Sequence, residues 1–139
     1  MLYTYTNSTQ SVATDAAIAL NTNAVQTGCT VTHTAGTTAV SLNKTGYYEV
    51  HFNADVTSAT TGALSIQMQG NGVDVAGAEA TTTVTTASEI SNVSFTAIVR
   101  VLPNCCAILG NIPYVLTFVN TGAATASVSN AAVTVTKVA

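Results

Sequence analysis

Charge is what this sequence most lacks. Of its 139 residues three are Lys or Arg and six are Asp or Glu, 6% in all, where an ordinary soluble domain carries about 25%. Thr, Ser, Asn, Ala and Val fill the positions instead. A free soluble surface normally mixes charges of both signs. Much of this surface is therefore expected to be held against sister subunits or coated by hydroxyls and amides. The three cations, Lys44, Arg100 and Lys137, lie far apart in sequence, and no basic run is present to neutralise phosphates, so no nucleic-acid partner is expected. Trp is absent, which disfavours sugar stacking on an exposed indole. No stretch approaches the roughly 18 continuous apolar residues of a spanning helix, so no membrane insertion is expected. The opening Met1–Asn7 lacks the basic and apolar regions of a secretory signal, so synthesis in the cytoplasm without export by that route is expected.

Motifs that carry chemistry are equally scarce. Ser is common, yet no Gly-x-Ser-x-Gly elbow occurs, and no enzyme activity or cofactor is expected. The three cysteines include the adjacent pair Cys105 and Cys106. They read as reduced, small buried residues of a reducing compartment, with a Cys29 bridge to one of them as the alternative. No Cys-x-x-Cys spacing supports zinc. His33 and His51 each sit in an alternating run and read as surface or interface hydrogen-bonding residues. Glu49 and His51 share one strand face, about 7 Å apart. No metal site is expected.

What is present is alternation. Thr30–His33, Val40–Leu42, Tyr48–Phe52, Leu64–Met68, Phe95–Val101, Tyr114–Phe118 and Ala132–Thr136 all repeat with period two, the pattern of half-buried strands. Turn clusters separate them. The sharpest is Asn71-Gly72, which suits a type I′ hairpin between Ile66–Met68 and Val73–Val75. Val12–Leu20 reads as a strand entering the fold, with an Ala-rich helical turn as the rival. The length suits one domain, and the pattern predicts an all-β sandwich or jelly roll of about 8–10 antiparallel strands. Residues 1–10 form an N-terminal arm or a first strand, and residues 11–139 the domain. Tyr3 and Tyr5 could anchor such an arm to a larger surface. Tyr48, Val50, Phe52, Tyr114 and Phe118 read as core or inter-subunit packing residues.

Gly46-Tyr47-Tyr48-Glu49-Val50-His51-Phe52 resembles the central strand of the tumour necrosis factor-like jelly roll in its complement globular-head form. Ile18–Asn21 and Thr30–His33 resemble the opening strands of that family, Leu64–Ile66 with Asn71-Gly72-Val73 its hairpin, and Ala97–Val101 the strand leading to a turn. Tyr114–Asn120 and Ala131–Val138 resemble its two closing strands. The likeness runs from about residue 11 onwards. It is nearest to bacterial and phage versions, such as the terminal domain of collagen-like spore-surface glycoproteins and stand-alone domains of phage virions. No Gly-X-Y stalk is present, and Pro103 with Cys105 and Cys106 replaces the usual Gly-rich turn.

The resemblance implies a homotrimer about a three-fold axis, which would account for the missing charge. It implies a non-enzymatic structural protein on the exterior of a phage particle: a capsid decoration, head fibre or related virion component bound to the major capsid protein or another virion protein. A trimeric module binding a host surface glycan or receptor through Thr57–Ala63 or Val75–Thr83 is the alternative, and a spore-surface coat protein is another. Some relatives hold Ca²⁺, for which Asp74 would be the candidate here.

Overall fold

The computed structural model describes residues 1–103 and 113–139; Cys105 and Cys106 lie outside the described residues. Eleven strands make two antiparallel sheets. They are β1 (Leu2–Thr6), β2 (Gln10–Val12), β3 (Thr22–Gln26), β4 (Val31–His33), β5 (Val40–Leu42), β6 (Gly46–Thr57), β7 (Gly62–Gly70), β8 (Val73–Val84), β9 (Ser91–Val101), β10 (Tyr114–Asn120) and β11 (Ala126–Lys137). The first sheet runs β3-β1-β11-β6-β9, with β2 also on β11, and the second runs β4-β5-β10-β7-β8. No helix among the described residues is long and apolar enough to cross a membrane.

The period-two runs become strands because alternate side chains point to opposite faces. In β6, Tyr48, Val50, Phe52, Ala54 and Val56 are buried, and the residues between them face outward. The two inner faces meet in one core. Phe52 of β6 stacks on Phe95 of β9 and on Phe118 of β10, at centroid distances of 5.1 and 5.0 Å, so three aromatic rings join the sheets. Asn71 and Gly72 both take positive φ, 50° and 81°, the type I′ requirement. The Asn71 side-chain oxygen accepts from the Val115 N–H, pinning the hairpin tip to β10. At Gly70 the ring of Tyr114 lies where any Cβ would stand. That half-buried tyrosine covers the glycine and packs against the edge of the core.

Residues 2–6 take the strand reading of the two, and three expectations change, for Val12–Leu20, Cys29 and His33. Residues 2–6 are β1, paired with β11 on one side and β3 on the other. Tyr3 and Tyr5 therefore project from an interior strand of the sheet and not from an arm; the β-forming Leu-Tyr-Thr-Tyr-Thr run satisfies its backbone groups there. Val12–Leu20 is not one strand. After β2 the chain turns at Asp15 (φ 66°) and continues irregularly, touching the second sheet through the Ala17–Val119 bridge while Ile18 and Leu20 are fully buried. Cys29 is exposed and its thiol free, not a buried packing residue.

His33 is likewise buried, with 5% of its surface exposed, and not a surface residue. Its Nδ1 lies 2.6 Å from the Asn23 side-chain oxygen, and its Nε2 3.0 Å from the Thr37 carbonyl. Asn23 in turn donates to the His33 carbonyl. This network ties β3 of the first sheet to β4 of the second and closes one edge of the sandwich.

Candidate functional site

Outward positions of the first sheet fall into rows fixed by strand register. One row crosses five strands: Thr96, His51, Thr134, Tyr3 and Val25. The next holds Ile98, Glu49 and Thr136. At the end of the sheet Tyr47 stands opposite Arg100. Tyr3, Val25, Tyr47 and Ile98 are large apolar side chains left exposed on this one face. Tyr3 and Tyr5 lie side by side, ring centroids 5.9 Å apart. On the second sheet the only such side chain among the described residues is Val73, beside the hairpin tip.

At the middle of the face Glu49 Oε1 lies 2.9 Å from His51 Nε2, and His51 Nδ1 lies 3.0 Å from the Thr96 hydroxyl. Beside them is a shallow depression of about 300 Å³ floored by small side chains, Ser94, Ala132 and Thr134, between His51, Asn53 and Thr96. Such a hollow suits a packed side chain better than a reaction. Among the described residues no group of three His, Cys, Asp or Glu converges as a metal would require. Asp74 is bonded by Gln69.

Further along the same face, a bulge in β11 puts Asn130 at φ 50° and turns its amide to Asp55. Hydrogen bonds from Asn92 first, and from Asn130 second, hold the Asp55 carboxyl below the usual carboxylate range. A carboxyl depressed in the folded state adds stability above its unfolded value, near 4. That contribution is lost as pH falls through the folded value. The group is solvent-screened, so the contribution is less than about 1 kcal/mol. Asp55→Asn is expected to lower Tm at neutral pH slightly, by no more than about 4 °C, and to flatten the acid limb of a Tm-against-pH curve.

Of the residues singled out from sequence, Tyr48, Val50, Phe52 and Phe118 point into the core, not towards a partner. Burial pushes the Tyr48 and Tyr114 phenols up, and the Tyr48 hydroxyl donates to the Lys44 carbonyl at 2.6 Å. The outward residues Val25, Ile98 and Thr134 went unmarked; Ile98 and Thr134 each neighbour a core position in an alternating run, whereas β3 around Val25 shows no alternation. The Thr57–Ala63 turn borders a second hollow, lined by Ser11, Thr125 and Ser127 together with Ala59, Ala123 and Ala124. Val75–Thr83 is no loop but the body of β8. The cations, distant in sequence, are brought together: Lys44 in the β5–β6 turn, Arg100 near the end of β9 and Lys137 at the end of β11 all gather at one end of the sandwich.

No sequence-family model and no curated protein matches the chain. Solved structures do resemble it. The Eiger TNF of S. frugiperda superposes with a TM-score of 0.76 over 99% of this chain and 91% of that one, at 14% identity. The globular domain of the zebrafish complement 1qA protein gives 0.64 over 94% and 93%, at 13% identity. The vertex protein P5 of PRD1 gives 0.53 over 99% and 96%, at 16% identity. At such identities the likeness is one of fold. The chain is an all-β protein with the tumour necrosis factor-like jelly-roll fold.

Proposed function

We propose that this chain is a non-enzymatic structural module that assembles as a homotrimer through the outer face of its first sheet and sits on the exterior of a phage particle. The observation that carries the reading is that, of the exposed large apolar side chains that lie within the two sheets, all but Val73 belong to the outer face of the first sheet. Tyr3, Val25 and Ile98 share the outer face of the first sheet, around a centre where Glu49 and His51 satisfy each other, and Tyr47 stands at the solvent-accessible rim beside Arg100. Such a face, with apolar and aromatic side chains set among Thr, Ser and Asn and few unpaired charges, matches the mixed composition of a protein–protein interface. A second copy of the chain suits it because a surface that is nearly uncharged needs little charge complementarity. Likeness of fold to a vertex protein supports a place on a particle.

In this reading Ile98, exposed at the edge strand, inserts into the neighbouring copy and behaves as an anchor worth about 2 kcal/mol or more. The protein is expected to have a solution mass of three times 14.1 kDa by light scattering after size exclusion. Ile98→Glu is expected to sediment as a folded monomer with unchanged far-ultraviolet circular dichroism. A wild-type monomer at micromolar concentration would overturn the trimer. Absence of the chain from purified virions that encode it, by protein mass spectrometry, would overturn the place on the particle.

A further inference from the structure

All three cationic side chains of the protein stand at one end of the sandwich. Register brings them there: Tyr47 is opposite Arg100, and Tyr48 is opposite Lys137. The two backbone positions flank the start of β6, about 10 Å apart. Arg100 lies on the outward face with Tyr47, and Lys137 at a core-side position with Tyr48, so the two side chains leave the end of the sheet on opposite sides. Lys137 lays its side chain along Gly46, where a Cβ would touch the ammonium group. That carries its charge towards the β5–β6 turn and Lys44. The Arg100 guanidinium lies 5.9 Å from the centre of the exposed Tyr47 ring. All three cations are exposed, and among the described residues none has a carboxylate within ion-pair distance. Of the acids nearest this end, Glu49 is turned to His51 and Asp74 is bonded by Gln69 across the second sheet. Asp15, Asp55 and Glu89 lie at the opposite end, in or beside the loops that follow β2, β6 and β8.

We propose that this end binds an anionic saccharide, a sugar chain bearing carboxylate or sulfate groups, with Arg100, Lys137 and Lys44 taking the anions and Tyr47 the sugar ring. A guanidinium offers a planar pair of donors that fits carboxylate or sulfate, and an ammonium adds an adaptable point charge. An exposed aromatic ring beside them gives the apolar face of a sugar a surface to lie on. The separation of charge along the molecule orients an incoming anion towards this end. The three cations could neutralise only three phosphates, too few to hold a nucleic acid against a net charge of −3. A short sugar chain with spaced charges asks for no more than the site has. The site exists in each protomer without the trimer; in a trimer three such ends would act together.

The test is an isothermal titration of the full chain with a sulfated hexasaccharide and, separately, with a polyuronate of the same length. A single-stranded oligonucleotide of equal charge and anionic phosphatidylserine vesicles serve as comparison arms. Binding of at least one saccharide is expected, weakening about tenfold between 50 and 150 mM salt. The Lys44→Gln, Arg100→Gln, Lys137→Gln triple variant is expected to lose binding at least tenfold with Tm unchanged. Asp55→Asn, at the far end, is expected to bind as the wild type does. No saccharide binding at millimolar concentration, full binding by the triple variant, or tighter binding of the oligonucleotide or vesicles would each overturn the proposal. Val25→Glu, on the same face but four strands from Arg100, separates the two readings. A monomer that still binds upholds the saccharide site whatever becomes of the trimer, and a wild-type trimer that does not bind refutes the site alone.

Discussion

Asn120→Asp is expected to cost about 4 kcal/mol at neutral pH, although the two side chains are nearly the same shape. Asn120 is fully buried. Its amide nitrogen donates to the Val12 and Ala124 carbonyls, each at 2.9 Å, and its side-chain oxygen accepts from the Gly122 N–H at 2.9 Å. Its backbone adds bonds to Asp15 and Ala16. One side chain thus fastens the end of β2, the irregular crossing after it and the β10–β11 turn. An aspartate keeps the bond from Gly122 but sets a carboxylate oxygen against two carbonyl oxygens. Nothing there can donate to it.

The sign with pH follows. Burial and two facing acceptors raise the folded pKa of such a carboxyl above its unfolded value. The penalty is then complete above the folded pKa and shrinks as pH falls through it, because the protonated acid donates to one carbonyl. Thermal melts should show Tm about 10–15 °C below wild type at pH 7, with the gap narrowing in acid. A variant as stable as the wild type at pH 7, or a gap that widens in acid, would refute this account of the network.

Phe118→Ala is expected to destabilise by about 3–5 kcal/mol, and Phe118→Leu by about 1–1.5. Phe118 is completely buried and reaches from the second sheet to Phe52 and Phe95 of the first, at centroid distances of 5.0 and 6.3 Å. Deleting the ring removes the transfer energy of a large side chain and leaves a cavity between two sheets that are each held by their own ladders. Chemical denaturation should show a lower midpoint with little change in slope. Against a whole-domain stability of about 5–15 kcal/mol, either substitution consumes a large share. A loss below about 1 kcal/mol for the alanine variant would mean that the aromatic trio does not join the sheets as described.

Much of this was legible beforehand, and the legible part is local. Period-two runs of Val, Thr and aromatics declare strands because the pleat alone sets which side chains share a face. Asn71-Gly72 declares its turn because both residues tolerate positive φ. Alternation also placed Tyr48, Val50, Phe52 and Phe118 on one side of their strands. It could not say whether that side met a core or a partner. Burial answers that, and burial depends on which sheet lies opposite.

Other features were set by residues far apart in the chain. Asn120 and His33 look like ordinary polar residues in sequence, and their roles come from carbonyls that only the folded topology brings near. Tyr3 and Tyr5 read equally as an arm or a strand until β11, more than 120 residues later, supplied the partner. The clustering of Lys44, Arg100 and Lys137 is of the same kind, since strand register places charges by position along a strand and not by distance in sequence. What the sequence by itself determined was strand content, turn chemistry and a surface short of charge, because those depend on residue type and neighbour. Only the tertiary structure decided which outward face holds the exposed apolar side chains, which end holds the cations and which buried polar groups fasten the sandwich, because each is a meeting of groups that long-range pairing alone brings within reach.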